Sequence, residues 1–271
     1  MTPFSVLLSL YIKEKPEFLE QALRSVFEQS CLPAEVVLVL DGPVTGELQA
    51  VVDKFMFQYP KVLKIIPLEQ NVGLGLALNE GLKHCSYEYV ARMDTDDICK
   101  PTRFEKQLAA FEQNPSAAVI SSWIDEFVGS PENIVSIRKL PEKNSELVNY
   151  AQTRNPMNHP SVMFKQSAIW AVGGYKHFYL LEDYYLWARL ITGKYELYNI
   201  QESLLQFRIS SQMIARRGGW KYAKSEIKLF QTFRTMGLIS FGVFLRIILI
   251  RVSFRLIPTH VRTVLYRKFL R

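Results

Sequence analysis

Short apolar runs alternate with helix-period segments through the first half of the chain. Phe4–Leu10 (FSVLLSL) and Glu35–Leu40 (EVVLVL) are nearly continuous in apolar residues, the pattern of strands covered on both faces. Val62–Ile66, Tyr87–Arg92 and Ala117–Ser121 read as further strands. Between them, Glu17–Gln29 sets Phe18, Ala22, Val26 and Phe27 at near-helical spacing, and Gly46–Tyr59 does so with Leu48, Val51, Val52 and Phe55. Leu74–His84 and Arg103–Gln113 complete the helices, the second one following Pro101. Strand and helix in alternation predict an α/β fold, a mainly parallel sheet with helices on both faces and right-handed crossovers.

The pattern loosens beyond Ser121. Trp123–Ser145 is irregular and holds Pro131 and Pro141; it is expected to add sheet strands or a flap. Glu146–Thr153 suggests a short helix, Asn155–Pro160 a turn-rich loop, Ser161–Phe164 a strand and Gly173-Gly174 a tight turn. Tyr184–Ile191 reads as a helix whose first turn carries Glu182 and Asp183, where the helix dipole favours acids. No repeat or low-complexity linker interrupts the chain. A catalytic domain over residues 1–220 and a C-terminal extension over 221–271 is the division this suggests.

Charge divides the chain in the same place. The 271 residues carry a net charge of +7, yet from Ile227 onward there are nine Lys or Arg and no acid. The remainder holds 24 basic and 26 acidic residues, a net of −2. A near-neutral body argues against nucleic acid as a partner. Three cysteines, Cys31, Cys85 and Cys99, make no disulfide framework and no zinc spacing, and they fit a reducing compartment. The apolar start is cut short by Lys13, Glu14 and Lys15, unlike a secretory signal.

Ligands of open α/β sheets bind beyond the carboxyl ends of the strands. Asp41 ends the second strand in LDGP, Asn71 follows the third in NVGLG, and Asp94, Asp96 and Asp97 end the fourth in RMDTDD. Each has a plain alternative: a turn for Asp41-Gly42-Pro43, a helix cap for Asn71, a solvated loop for the acids. Three carboxylates within four residues repel one another unless something positive sits among them, and Mg²⁺ or Mn²⁺ is typically held by one or two carboxylates plus phosphate. An EF-hand is excluded, since the segment lacks the glycine and glutamate of that loop.

These residues, in this order, resemble family 2 glycosyltransferases with the GT-A fold over about residues 4–212. Leu23–Gln29 is similar to the family's Leu-x-Ser-(aliphatic)-x-x-Gln helix, Val39–Pro43 to its Val-Asp-Asp-Gly-Ser turn, and Asn71–Asn79 to Asn-x-Gly-x-x-x-Ala-x-Asn. Ala91–Asp97 resembles the Asp-x-Asp region, and Pro101 and Arg103 also match. Asn158–Ser161 and Val172–Tyr175 resemble the acceptor half, and Glu182–Arg189 the Glu-Asp-x-x-Leu-x-x-Arg signature. Departures are Ser9, Leu10 and Ile12 around Tyr11, Leu40 before Asp41, and Ser210 in place of a histidine in Phe207–Ser211. The variants look most like transferases of bacterial exopolysaccharide and O-antigen assembly.

The resemblance implies a nucleotide-sugar donor, by family habit a UDP-sugar, and inversion at the anomeric carbon. It implies Mn²⁺ or Mg²⁺ on Asp94 and Asp96, donor contacts from Tyr11, Asp41, Asn71, Arg92, Asp94, Asp97 and Arg208, and Asp183 as general base. Glu182 and His159 would face the acceptor. Caps and core packing are the alternatives for Glu182, Asp183 and His159. The acceptor would be a polyprenyl-diphosphate-linked glycan.

No apolar stretch of the C-terminal region reaches the roughly 18 residues of a spanning helix. Arg246, Arg251 and Arg255 lie near one face, and Arg262, Tyr266, Arg267, Lys268 and Arg271 extend the basic character. This suits an amphipathic segment on an anionic inner-membrane leaflet, with the protein cytoplasmic and peripheral. A core helix or an oligomer contact are the alternatives. Two other functions remain open: a non-catalytic glycan- or partner-binding domain, and a sugar-phosphate nucleotidyltransferase. The second is disfavoured because Ser9–Lys13 has no glycine-rich phosphate loop.

Overall fold

A computed structural model describes residues 2–210, 216 and 219–256, by backbone alone after Arg251. The sequence-based expectations for Ser211, for the Arg255 side chain and for Arg262, Tyr266, Arg267, Lys268 and Arg271 lie outside these described residues.

The parallel core is β1 (Phe4–Leu10), β2 (Glu35–Leu40), β3 (Leu63–Pro67) and β4 (Tyr89–Asp94), in the order β3-β2-β1-β4. The crossovers are helices α1 (Pro16–Phe27), α2 (Gly46–Gln58) and α3 (Leu74–Lys83). Pro16 starts α1, where its missing N–H costs nothing. The Thr45 hydroxyl caps α2 by accepting from the Leu48 N–H. Side chains alternate across the sheet: Val6, Leu8, Val36 and Leu38 meet α1, α2 and α4 (Arg103–Gln113), while Leu7, Val37 and Val39 meet α3 on the other face.

β4 lies two residues further along than the apolar pattern predicts. Its partner β1 pairs Ser9 with Asp94, so the ladder carries the strand into the acids. After the short β5 (Ile98–Cys99), β6 (Ala117–Phe127) runs through the segment expected to be irregular and pairs with the edge strand β7 (Ile134–Arg138). Buried polar residues obscure its pattern: Asp125 pairs with Lys100 at 2.6 Å and Glu126 with Arg138 at 2.6 Å. β8 (Met163–Lys165) joins β4 antiparallel, and β6 joins β8. β9 (Glu196–Arg208), which the apolar pattern does not announce, lies parallel to β6 and antiparallel to β5. Register shifts around Ser122 and Trp123 bend this pair. Arg208 therefore arrives at the same rim as Asp94.

The second half adds α5 (Asn144–Ala151), a 3₁₀ turn at His159–Ser161, α6 (Gln166–Ala171) and α7 (Glu182–Thr192). Two further helices, α8 (Gly219–Thr235) and α9 (Phe241–Leu256), follow. They pack on α7: Tyr184 and Ala188 meet Tyr222, Phe230 and Phe233, and Ile247 of α9 closes this cluster. A buried ion pair, Arg251 to Glu226 at 2.6 Å, ties α9 to α8, and Arg251 also donates to the Thr153 carbonyl. No helix among the described residues is long and apolar enough to cross a membrane.

Gly81 permits the close seating of α3 on the sheet. A Cβ there would stand 2.4 Å from Leu7 Cδ1 and 2.6 Å from Val39 Cγ2. Gly81→Ala is expected to lower stability by about 1–2 kcal/mol despite the better helix propensity of alanine. Gly46→Ala, with no atom near its Cβ, should be neutral or stabilising; equilibrium urea unfolding of both compares them.

Candidate active site

The carboxyl rim of the sheet opens into a cleft of about 1330 Å³. Tyr11, Asp41, Asn71, Arg92, Asp94, Asp96, His159, Glu182, Asp183 and Arg208 all line it. Asp97 does not: it is buried behind the wall.

Asp94 ends β4 and receives the forked guanidinium of Arg92, whose Nη1 donates to Oδ2 at 3.0 Å. Arg92 is 1% exposed, and its carbonyl accepts from buried Arg103 at 2.7 Å. Carboxylate oxygens of Asp94, Asp96 and Asp97 lie within 4.8 Å of one another. Burial, with the charges of Asp94 and Glu14, pushes Asp96 up to about 7. Burial, then Asp96, raises Asp97 well above the usual carboxylate range. One oxygen of Asp97 accepts the Arg208 N–H at 2.9 Å, and the other has no hydrogen-bond partner. Crowded carboxylates and an orphaned buried oxygen suit a hard divalent cation.

Arg208 braces this loop. Its Nε donates to the Asp96 carbonyl at 2.9 Å, Nη1 to the Gly129 carbonyl at 3.1 Å and Nη2 to Gln21 Oε1 at 2.7 Å. The guanidinium also stacks over Phe18, 3.7 Å from the ring centre. Its donors are thus engaged by the protein although its side chain borders the cleft.

Asp41 is similarly occupied. Its carboxylate accepts from Asn71 Nδ2 at 2.9 Å, the Val72 N–H at 2.7 Å and the Gly73 N–H at 3.1 Å, which shapes the turn before α3. Gly42, at φ 86, lies so close that a Cβ would meet Asn71 N at 2.7 Å. Tyr11 is half-buried on the neighbouring loop.

Across the cleft, Asp183 and Glu182 open α7. Asn155 Nδ2 donates to Asp183 Oδ2 at 2.6 Å. Burial pushes Glu182 up to about 7, with the Asp183 charge contributing. Leu180, two residues earlier, adopts the left-handed φ of 58, a strained backbone directly before the acids. His159 Nε2 is 2.8 Å from the Tyr175 hydroxyl, and its ring meets Trp187 edge-on. Burial and Arg92 hold His159 well below its ordinary value, so it is neutral at pH 7. Burial pushes the Tyr175 hydroxyl far above its ordinary value, with the Arg92 charge acting against this and Asp183, Asp94 and Glu182 adding to it.

The sequence pattern assigned no site role to Glu14, Asn155 or Tyr175, although Tyr175 ends one of the motifs. Glu14 sits in a charged run that reads as a solvated turn, yet it lines the cleft and its Oε2 accepts from Thr95 at 3.2 Å. Burial raises it. The α8 and α9 contribution to the cleft, including Leu229, Phe230, Ile247 and Ile250, also had no local signal.

The chain belongs to the glycosyl transferase family 2, whose model matches residues 5–173. It is a glycosyltransferase. It is 42% identical over 268 residues, 99% of this chain and 96% of the relative, to the UDP-Gal:alpha-D-GlcNAc-diphosphoundecaprenol beta-1,3-galactosyltransferase of Escherichia coli. It is 41% identical, over 98% of each chain, to the amylovoran biosynthesis glycosyltransferase AmsE of Erwinia amylovora. Its fold is similar to the mannosyltransferase PcManGT of Pyrobaculum calidifontis in complex with GDP-Man and Mn²⁺, with a TM-score of 0.66 and 17% identity over 97% of this chain and 72% of that one. The GT-A fold is the one expected from the sequence.

Metal binding by such a loop displaces protons from groups that burial holds protonated. Mn²⁺ is therefore expected to raise the melting temperature strongly at pH 8 and little at pH 5, below the value near 7 of Asp96. Without metal the sign is opposite: the folded state binds protons that the unfolded state has released, so stability falls as pH rises from about 4 to 7. Asp96→Ala should remove the Mn²⁺ effect at pH 8 and leave the protein folded; an unchanged Mn²⁺ shift by differential scanning fluorimetry would refute the loop as the metal site.

Proposed function

We propose that this glycosyltransferase moves a sugar from a UDP-sugar to a hydroxyl of a polyprenyl-diphosphate-linked glycan, with inversion, in the assembly of a bacterial surface polysaccharide. The observation that carries this is the placement of Asp183, held by Asn155, on the same cleft as Asp94 and Asp96. The relative whose name includes a UDP-sugar and a diphosphoundecaprenol acceptor supports the choice of substrates.

Asp94 and Asp96, with Asp97 behind them, are the residues to hold Mn²⁺ or Mg²⁺. When bound, the ion supplies positive charge to the departing nucleoside diphosphate. Arg92 sets the Asp94 carboxylate, and Arg208 sets the loop backbone, so that little reorganisation is needed during reaction. Asp41 and Asn71 form the wall for the nucleoside beside Tyr11.

Asp183 accepts the proton of the acceptor hydroxyl. The acceptor oxygen bonds to the anomeric carbon from the face opposite the diphosphate, whose bond to that carbon breaks with both electrons leaving on the diphosphate oxygen. Asn155 orients Asp183, and Glu182 contacts the acceptor next to it. Neutral His159, seated on Tyr175, shapes the floor of the acceptor side. The reaction takes place on the cytoplasmic face of the inner membrane. A face of α9 carrying exposed Phe241, Leu245 and Leu249 supports peripheral attachment.

Asp183→Asn preserves shape and the Asn155 neighbourhood while removing the base. Transfer should fall by roughly 10²–10⁴-fold, the usual share of general-base catalysis. Mn²⁺-dependent stabilisation by UDP should persist. Rapid transfer by the variant would remove Asp183 from this role. A wild-type protein that neither binds UDP with Mn²⁺ nor transfers sugar would overturn the proposed function itself.

A further inference from the structure

Helix α9 presents two unlike faces. Residues 246, 247, 250 and 251 fall on one side of the helix and line the cleft. Phe241, Leu245 and Leu249 succeed one another four residues apart on the opposite side and are 57%, 51% and 73% exposed. Arg246 and Arg251 thus border the cleft, and the apolar stripe of Phe241, Leu245 and Leu249 turns out.

Arg251 is consumed by Glu226 and the Thr153 carbonyl. Arg246, about 7.5 Å of helix rise before it, is exposed, lines the cleft and has no ion pair among the described residues. The Arg251–Thr153 bond brings α9 against the loop that carries Arg154. Arg154 also is exposed and lines the cleft, its guanidinium 5.9 Å from the Tyr150 ring centre, with no ion pair among the described residues. The next residue, Asn155, touches Asp183.

We infer that Arg154 and Arg246 form a subsite for the diphosphate of the acceptor lipid, with the prenyl chain leaving over Ile247 and Ile250. This deepens the proposed function and rests on its acceptor class. A sugar hydroxyl placed at Asp183 puts the far side of that sugar, where its anomeric phosphate is attached, beside Arg154. Guanidinium groups recognise phosphate oxygens by forked, charge-assisted hydrogen bonds. Of the other arginines that line the cleft, Arg92, Arg138 and Arg208 are engaged by Asp94, Glu126 and the acid loop, while Arg216 adds a further positive charge; the acids Asp94 and Asp183 disfavour an anion beside them, so the acceptor is oriented as well as held. The outward apolar stripe keeps the same helix at the bilayer from which the lipid comes.

The test is equilibrium binding to the full chain, in chelator so that no metal recruits diphosphate. Farnesyl diphosphate, farnesol and inorganic pyrophosphate are the probes. Wild type should bind farnesyl diphosphate more tightly than either other probe. The double variant Arg154→Gln/Arg246→Gln should weaken it at least about tenfold, as expected for lost charge-assisted bonds, and leave farnesol unchanged. Equal binding by variant and wild type, or no preference for farnesyl diphosphate over farnesol, overturns the subsite. Pyrophosphate binding as tight as farnesyl diphosphate, lost by the same factor, would assign the arginines to a free anion and overturn the lipid reading. Mn²⁺–UDP stabilisation, measured on the same variant, should equal wild type. Loss of that signal in wild type would count against the transfer reaction, and the arginine result would stand apart from it.

Discussion

Carboxylates crowd the end of β4 because Arg92 supplies a positive charge from inside the sheet. Its guanidinium forks onto Asp94 while nearly all of the side chain is out of water. Such a charge has to be placed by its surroundings, and Arg103 does this by holding the Arg92 carbonyl and the Val162 carbonyl just before β8. Gln107, on the next turn of α4, bonds Arg103 and the Ile120 and Ser161 carbonyls. The meeting of β4, β6 and β8 is thus organised by polar groups in the layer where an ordinary α/β sheet would have only apolar side chains. The fold depends on this layer, and the acid loop is its exposed end.

The acid loop then depends on a strand far away in sequence. β9 delivers Arg208, which grips the loop through its own N–H and through its side chain. In that position a basic residue resembles a phosphate ligand when only the sequence is read. With its three donor nitrogens on Asp96, Gly129 and Gln21, it acts on the acid loop through the backbone that carries the acids. Asp41 behaves alike, a carboxylate at the rim whose oxygens build a turn. Their importance is readable in the sequence, whereas the direction in which they point is a property of the packed structure.

The parallel half of the sheet could be read directly from the chain because β1 to β4 are short, apolar and separated by periodic helices. The antiparallel half resists that reading for a physical reason. β6 buries Ser121, Ser122, Asp125 and Glu126; Ser121, Asp125 and Glu126 are satisfied by partners from other segments and the Ser122 hydroxyl by the Trp123 carbonyl of its own strand, so its polarity does not report its burial. β9 carries Asn199, Gln201 and Glu202 at its bend, and its register shifts break the alternation of side chains. The acids and the family motifs were visible as ordered motifs, but Glu14 was concealed in a charged turn. The α8 and α9 wall was concealed because its residues meet the cleft only after packing on α7.

Two anions take part in the proposed reaction, and a single cleft has to keep them from exchanging places. The nucleoside diphosphate belongs at Asp94 and Asp96, where a bound cation reverses the local sign. The acceptor diphosphate gains nothing from a cation already shared with the nucleotide and is disfavoured beside the acids Glu182 and Asp183. It finds positive charge on the wall made by Arg154, on the loop after α5, and Arg246, on a helix appended after the sheet is complete. This gives α8 and α9 a reason to be packed on α7 rather than tethered to it. The ion pair of Arg251 with Glu226 and the aromatic contacts of Tyr184 with Phe230 and Phe233 hold that wall in register with Asp183, the residue before Tyr184 on the same helix. A freely swinging membrane anchor would bring the lipid near the enzyme; a docked one also decides which end of the lipid-linked sugar meets the base.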